Sequence, residues 1–374
     1  MGDSSLNQDR IGVREHVEAR AEAPFRSKNI RRGVLYFVIL TIAGLAALFY
    51  ITHTPQTLEA LHHLEARFFF IAMALSIVDL SLGTWRYHIL VRKLKPGVTP
   101  WVCFRANLAN IFMGAITPSQ TGGGPAQLYI FYRAGISLAN GVFVGVVNFT
   151  FTLGLLLVGA TFSLIVVREY FSQGMIRHLI QYGFFAFVGL FLFFFFALWR
   201  PDLLSRSVNK MAELIARAHQ RWGERILHIS RRFIAELDNY RASCTHFFRN
   251  EPLLLLKAFG LTILLYMNKF TLAYFLMRAL GVAGAYFHMI AIQTLLLFVL
   301  FFAPTPGASG IAELSIAALM SSLMPNYLLP IFALLHRFFL VYLPAAFGSY
   351  VVLAELKSQT GSRVREETFD PLIT

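Results

Sequence analysis

Thr117-Pro118-Ser119-Gln120-Thr121-Gly122 and Thr305-Pro306-Gly307-Ala308-Ser309-Gly310 share one pattern, Thr-Pro-x-x-(Ser/Thr)-Gly, and each interrupts a strongly apolar stretch. Proline and glycine so placed stop a helix, and backbone freed at membrane depth is tolerated only where it lines a cavity or is buried in protein. The two breaks therefore mark the working centre expected of a transporter.

Around them the chain is too apolar for a soluble domain. Of 374 residues 56% are hydrophobic, 37 are Phe, and the mean hydropathy is +0.59, so an integral membrane protein is expected. Cys103 and Cys244 are the two cysteines, which excludes a disulfide framework or a cysteine-based zinc site. Runs long enough to cross about 30 Å of hydrocarbon fall near 33–51, 68–85, 138–167, 179–199, 252–279 and 328–355. The stretches 101–134 and 286–324 each carry one Thr-Pro break, and their returning arms reach only about 14 to 21 Å at 1.5 Å per residue. The expected fold is all-α, a polytopic membrane helix bundle of six full spans plus two re-entrant helical hairpins in an inverted repeat.

The net charge of +13 bears on topology here rather than on nucleic acid, which is not expected as a partner. If each hairpin returns to its own side, segments 1–32, 86–100, 200–251 and 356–374 share one face with 7, 4, 10 and 3 Lys+Arg, while the opposite loops hold Arg67, Arg168 and Arg177. The positive-inside rule then places both termini in the cytoplasm of an inner (plasma) membrane protein. Counting 101–134 as one crossing would export the ten basic residues of 200–251, and that topology is rejected. The N-terminus does not read as a secretory signal, because its apolar run begins after 32 polar residues and is too long.

The first hairpin lies between an out-to-in and an in-to-out span, the second between spans of the opposite sense. Such inverted repeats place a transporter's site at their interface near the bilayer midplane. The domain reading is a cytoplasmic tail 1–32, a transmembrane domain 33–355 and a cytoplasmic tail 356–374. Within the domain, 200–250 is a basic segment whose apolar residues, Leu204 to Tyr240, recur at steps of three and four. Two placements of this cytoplasmic amphipathic helix are open, lying on anionic lipid or packed on the ends of the spans.

Thr117, Ser119, Thr121, Gly122 and Gly123 form the first break, and Thr305, Ser309 and Gly310 the second, which opens onto Glu313. Each returning helix points its N-terminus inward, so two electropositive ends are expected at one cavity, an arrangement suited to a lipid phosphate. Charged residues inside spans are functional candidates because burying them unpaired is costly. Asp79, Lys269, Glu313 and Arg337 are selected on that ground. Glu313 is expected to pair with Arg337 or Lys269, and Asp79 with Arg105 or Arg133. No catalytic set, metal site or cofactor is expected. His53, His62 and His63 with Glu59 and Glu65 read as a solvated outer loop.

The stretches Thr117–Ala126, Arg133-Ala134-Gly135-Ile136-Ser137 and Pro304–Glu313, with Arg337 ahead of Tyr342-Leu343-Pro344 and Gly348, resemble the lysylphosphatidylglycerol synthase transmembrane family, also described as flippase-like. The resemblance runs from about 33 to 355. It implies a prokaryotic inner-membrane protein that moves polar lipids between leaflets, with membrane lipids as partners. Some members carry a fused cytoplasmic aminoacyl-transferase domain; here 19 residues follow Glu355, so lipid aminoacylation by this chain alone is not expected. The alternative function is a membrane subunit that supplies lipid to a separate lipid-modifying enzyme or glycosyltransferase. An enzyme using the cavity itself ranks third, for want of a recognisable acid, base and nucleophile.

Overall fold

The computed structural model describes residues 27–52, 57, 59, 64–166, 175–202 and 223–368. Helices account for nearly all of them: α1 (Ser27–Thr52), α2 (Ala66–Leu94), α3 (Pro100–Ile116), α4 (Gly123–Arg133), α5 (Leu138–Val166), α6 (Met175–Trp199), α7 (Gly223–Asn250), α8 (Pro252–Ala279), α9 (Tyr286–Phe301), α10 (Ile311–Met320), α11 (Leu329–Arg337) and α12 (Leu343–Thr368). Five stretches are long and apolar enough to cross a membrane, 29–51, 66–94, 138–163, 252–279 and 326–357, and 183–199, 286–301 and 311–320 are shorter apolar helices. The protein is a multi-pass, all-α membrane protein.

Both breaks end their helices where the composition requires. Pro100 sits in the first turn of α3, where its missing N–H costs nothing. The chain turns at Thr117–Gly122 and re-enters α4. In the second hairpin α9 stops at Phe301, and α10 starts after Gly310, whose φ of 81° favours glycine. Two elements depart from expectation. Helix α2 continues nine residues past Trp85, because Tyr87, Leu90 and Val91 are buried and hold the last turns against their neighbours; residues 86–94 are helix and not loop. The last span is interrupted by one π turn, Phe338–Tyr342. Pro344 lies just beyond it and has no N–H to give an α-helical bond, a known cause of local helix widening.

The packing is reciprocal. Helix α2 lies along α8, α3 lies against α12, and α9 lies against α5. Each hairpin thus packs on the closing span of the other half, while the opening spans pack on each other. At the centre Pro118 and Pro306 form an isolated antiparallel bridge. They occupy the same place in the two Thr-Pro motifs, and contact between equivalent residues is what a two-fold relation produces. Gly348 lets α12 close on α3, since a Cβ there would lie 2.3 Å from the Leu108 carbonyl oxygen.

The described part of the basic segment is docked. Tyr240, Cys244 and Phe247 of α7 are buried against the foot of the bundle, with the Phe247 ring 4.8 Å from that of Phe143. Glu236 accepts a hydrogen bond from the Ala139 N–H at the start of α5 (2.9 Å), the side-chain capping that favours acids at helix N-termini. Burial pushes the Cys244 thiol up to about 12, so it stays protonated and inert near neutral pH. Residues 203–222 lie outside the described part.

Candidate functional site

The second turn is built around a buried ion pair. Arg337 Nε lies 3.1 Å from Glu313 Oε1, with side-chain exposures of 3% and 0%. The Nε–H is not aligned for a hydrogen bond, so the contact is a charge pair more than a directed bond. Glu313 is the third residue of α10 and reaches back to accept the Gly310 N–H at 2.6 Å, the N3 half of a capping box. Tyr342 OH donates to its other oxygen at 3.4 Å. Arg337 Nη2 donates to Ser309 Oγ (3.2 Å), and Ser309 Oγ shares a hydrogen bond with Thr41 Oγ1 of α1 (2.9 Å). Thr305 Oγ1 donates to the Ser309 carbonyl (2.9 Å). Behind this set, His336 Nε2 donates to Gln293 Oε1 at 3.0 Å.

Helix α1 closes the turn from outside. A Cβ on Gly44 would stand 2.8 Å from Gly310 Cα, and the Phe37 ring packs edge-on against Tyr342. Pro306, Gly307, Ala308 and Ser309 are all buried.

At the first turn Pro118, Ser119, Gln120 and Thr121 are exposed, as are Gly124 and Pro125. Thr117 serves its own turn, donating to the Met113 carbonyl at 2.6 Å and accepting the Gly122 N–H at 2.8 Å. Thr121 Oγ1 donates to the Pro118 carbonyl at 2.9 Å. Gly123 lies against Asn110, whose amide donates to Gln127 Oε1 at 3.1 Å. The start of α4 is met only by the neutral Thr117 hydroxyl, where a carboxylate, Glu313, meets the start of α10. Of the two electropositive ends expected, one is already met by a carboxylate of the protein.

Of the expected pairs, Glu313 and Arg337 meet. Lys269 instead takes Asp79, Nζ to Oδ2 at 2.7 Å, where α8 crosses α2. Asp79 is therefore not balanced by Arg105 or Arg133: these lie toward the far end of the first hairpin and share Glu355, Arg105 in contact and Arg133 at 3.9 Å. The two turns touch at Pro118 and Pro306 with the Glu313 set at the second, the Asp79–Lys269 pair joins α2 to α8, and Arg133 lies with Glu355 instead. Thr41 and Tyr342 complete the buried set and were not selected from sequence, since one hydroxyl on an apolar helix carries no local signal. No group of three or more His, Cys, Asp or Glu suited to a metal occurs among the described residues; His53, His62 and His63 lie outside them.

A family model described as the lysylphosphatidylglycerol synthase transmembrane region matches residues 34–348. A protein named "UPF0104 membrane protein" from Archaeoglobus fulgidus is 23% identical over 325 residues, covering 84% of this chain and 94% of that protein.

Proposed function

The chain belongs to the lysylphosphatidylglycerol synthase transmembrane-region family, and from that premise we propose that it moves a polar lipid with an anionic headgroup between the two leaflets of a prokaryotic inner membrane, with both termini in the cytoplasm. One observation carries the reading: the two helix breaks touch at equivalent residues, one exposed and the other buried over a Glu–Arg pair. That asymmetry suits one end state of an alternating-access cycle about a fixed central site.

In this reading the headgroup enters at the exposed Ser119 and Thr121 and approaches the start of α4 at Gly122 and Gly123, which lie buried just behind them. The helix end there carries roughly half a positive charge. Arg337 and Lys269 attract the phosphate, and their own carboxylates, Glu313 and Asp79, balance their charge while the site is empty. Glu313 can release Arg337 to an arriving anion without losing all its partners, because the Gly310 N–H and Tyr342 OH remain. The opposite state requires α1 to leave the second turn, parting Thr41 from Ser309 and lifting Gly44 from Gly310.

The test is leaflet translocation of labelled lipid by purified protein in vesicles, scanned over phosphatidylglycerol, phosphatidylethanolamine and a phosphate-free diacylglycerol. Headgroup-dependent movement, lost in Glu313→Gln, supports the reading; wild-type rates equal to protein-free vesicles refute it. The family's description also favours a second reading, in which the chain supplies lipid to a separate lipid-modifying enzyme or glycosyltransferase. That reading gains if translocation appears only with such an enzyme present. No lipid modification by the chain alone is proposed; a covalently altered lipid in the same vesicles, seen by mass spectrometry, would reverse this.

A further inference from the structure

Arg86 is an intramembrane cation left over once the central pairs are assigned. Three Lys or Arg residues lie more than five residues from either end of a candidate span: Arg86, Lys269 and Arg337. Lys269 has Asp79 and Arg337 has Glu313. Arg86 takes part in none of the ion pairs among the described residues. Its Nη1 donates to Thr152 Oγ1 of α5 at 3.1 Å, and its guanidinium stands 5.6 Å from the Tyr87 ring. Its Nε is buried with no hydrogen-bond partner among the described residues.

The ordinary reading of such an arginine is snorkelling to the near interface, and the geometry opposes it. Side chains on a helix lean toward its N-terminus. On α2 that direction runs away from the near end at Leu94, which is eight residues off, about 12 Å. Lys95 Nζ donates to the Ala134 and Gly135 carbonyls (2.8 and 3.1 Å), so the end of α2 and the start of α5 lie at one level. Thr152 is fourteen residues into α5, about 21 Å from that level. Arg86 therefore reaches toward the midplane.

One turn from Thr152, on the same face of α5, the Asn148 side-chain oxygen is also buried without a partner among the described residues, its amide having been given to the Val144 carbonyl. An uncompensated guanidinium and an unmatched amide along one groove describe a site whose missing member brings negative charge and can accept and donate hydrogen bonds. Beside it Trp85, 48% exposed, presents an apolar surface to lipid.

We propose that Arg86, aimed by Thr152 and with Asn148 alongside, binds a phosphate group in the groove between α2 and α5, the phosphate belonging to a lipid headgroup whose acyl chains lie on the Trp85 flank. The proposal deepens the carrier reading by adding a phosphate site away from the two turns. It rests on that reading for its purpose but is tested by binding alone.

Purified full-length protein in detergent is titrated with short-chain phosphatidylglycerol, with the matching diacylglycerol that lacks phosphate, and with glycerol 1-phosphate that lacks acyl chains. Bound lipid is read by native mass spectrometry and by the unfolding midpoint. Phosphatidylglycerol should bind, and Arg86→Gln should weaken it by about ten- to hundred-fold, the worth of a charge-assisted hydrogen bond. Thr152→Val, which keeps the charge but frees its aim, should weaken it roughly three-fold. Glycerol 1-phosphate binding as tightly as the lipid, through Arg86, supports the phosphate site with a soluble source and overturns the lipid assignment. Unchanged affinity in Arg86→Gln, or equal binding of diacylglycerol, overturns the proposal. Should Arg86→Gln fail to fold, unchanged affinity in both Arg86→Lys and Thr152→Val overturns it. A wild type that binds through Arg86 yet moves no lipid refutes the carrier reading and leaves this one standing.

Discussion

The two hairpins share a motif and differ in what stands behind it. At the first turn, Ser119 and Gln120 adopt positive φ (49° and 57°) on an exposed loop, and α4 begins with glycine. At the second, the turn is buried, α10 supplies Glu313 to its own start, and α1 lies across it. Repeats related by a pseudo-two-fold axis need not be chemically equal. One half can present a helix end met only by a neutral hydroxyl while the other stores its charge in an internal pair, and a ligand then sees an asymmetric site inside a nearly symmetric frame.

The sharpest way to break this contrast is to strand Arg337. Glu313→Ala leaves a buried, uncompensated guanidinium, and the expected loss is about 3 to 5 kcal/mol of stability, read as a lower unfolding midpoint in detergent. The double variant Glu313→Gln with Arg337→Gln should recover much of it; equal damage in both would show that the pair itself is not what matters. Accessibility should separate the turns next. Gln120→Cys is expected to react with a membrane-impermeant maleimide about a hundred-fold faster than Ser309→Cys, a difference of about 2.7 kcal/mol. The buried Cys244, its thiol raised to about 12, adds no background near pH 8, because the thiolate is the nucleophile. Labelling of Cys244 should appear only as pH approaches that value or the fold opens.

Glycine substitutions extend the comparison. Gly44→Ala sets a Cβ 2.8 Å from Gly310 Cα and should cost about 1 to 3 kcal/mol by overpacking, while raising the labelling of Ser309→Cys. Gly124→Ala meets nothing within 4 Å and lies inside α4, so it should be neutral or stabilise by up to about 1 kcal/mol. The smallest effect belongs to Arg133. It is 43% exposed at the far end of α4, and Arg133→Gln should change stability by less than about 0.5 kcal/mol; a large loss of translocation would return it to the site.

The departures from expectation share one cause. Asp79 was matched to basic residues of its own half because they are near in sequence, yet its partner Lys269 lies on α8, which runs along α2. Glu355 was overlooked as a partner for Arg105 because it lies near the end of the last span, and only the packing of α12 on α3 brings it there. Arg86 was read as loop because apolar character weakens after Trp85. Its helix persists through tertiary burial of Tyr87, Leu90 and Val91, which local composition does not express.

What the residues by themselves determined are the properties that act along the chain: where apolar runs are long enough to span, where Thr-Pro and glycine stop a helix, and between which apolar runs Lys and Arg cluster. These follow from hydrogen bonding and solvation within a few residues of each position. What only the tertiary structure decided is which charges meet and which turn is open. Partnership across helices depends on their rotation and axial offset, and each 1.5 Å step along a helix turns a side chain by about 100°; those quantities emerge when α2 settles on α8 and α1 closes over the second turn.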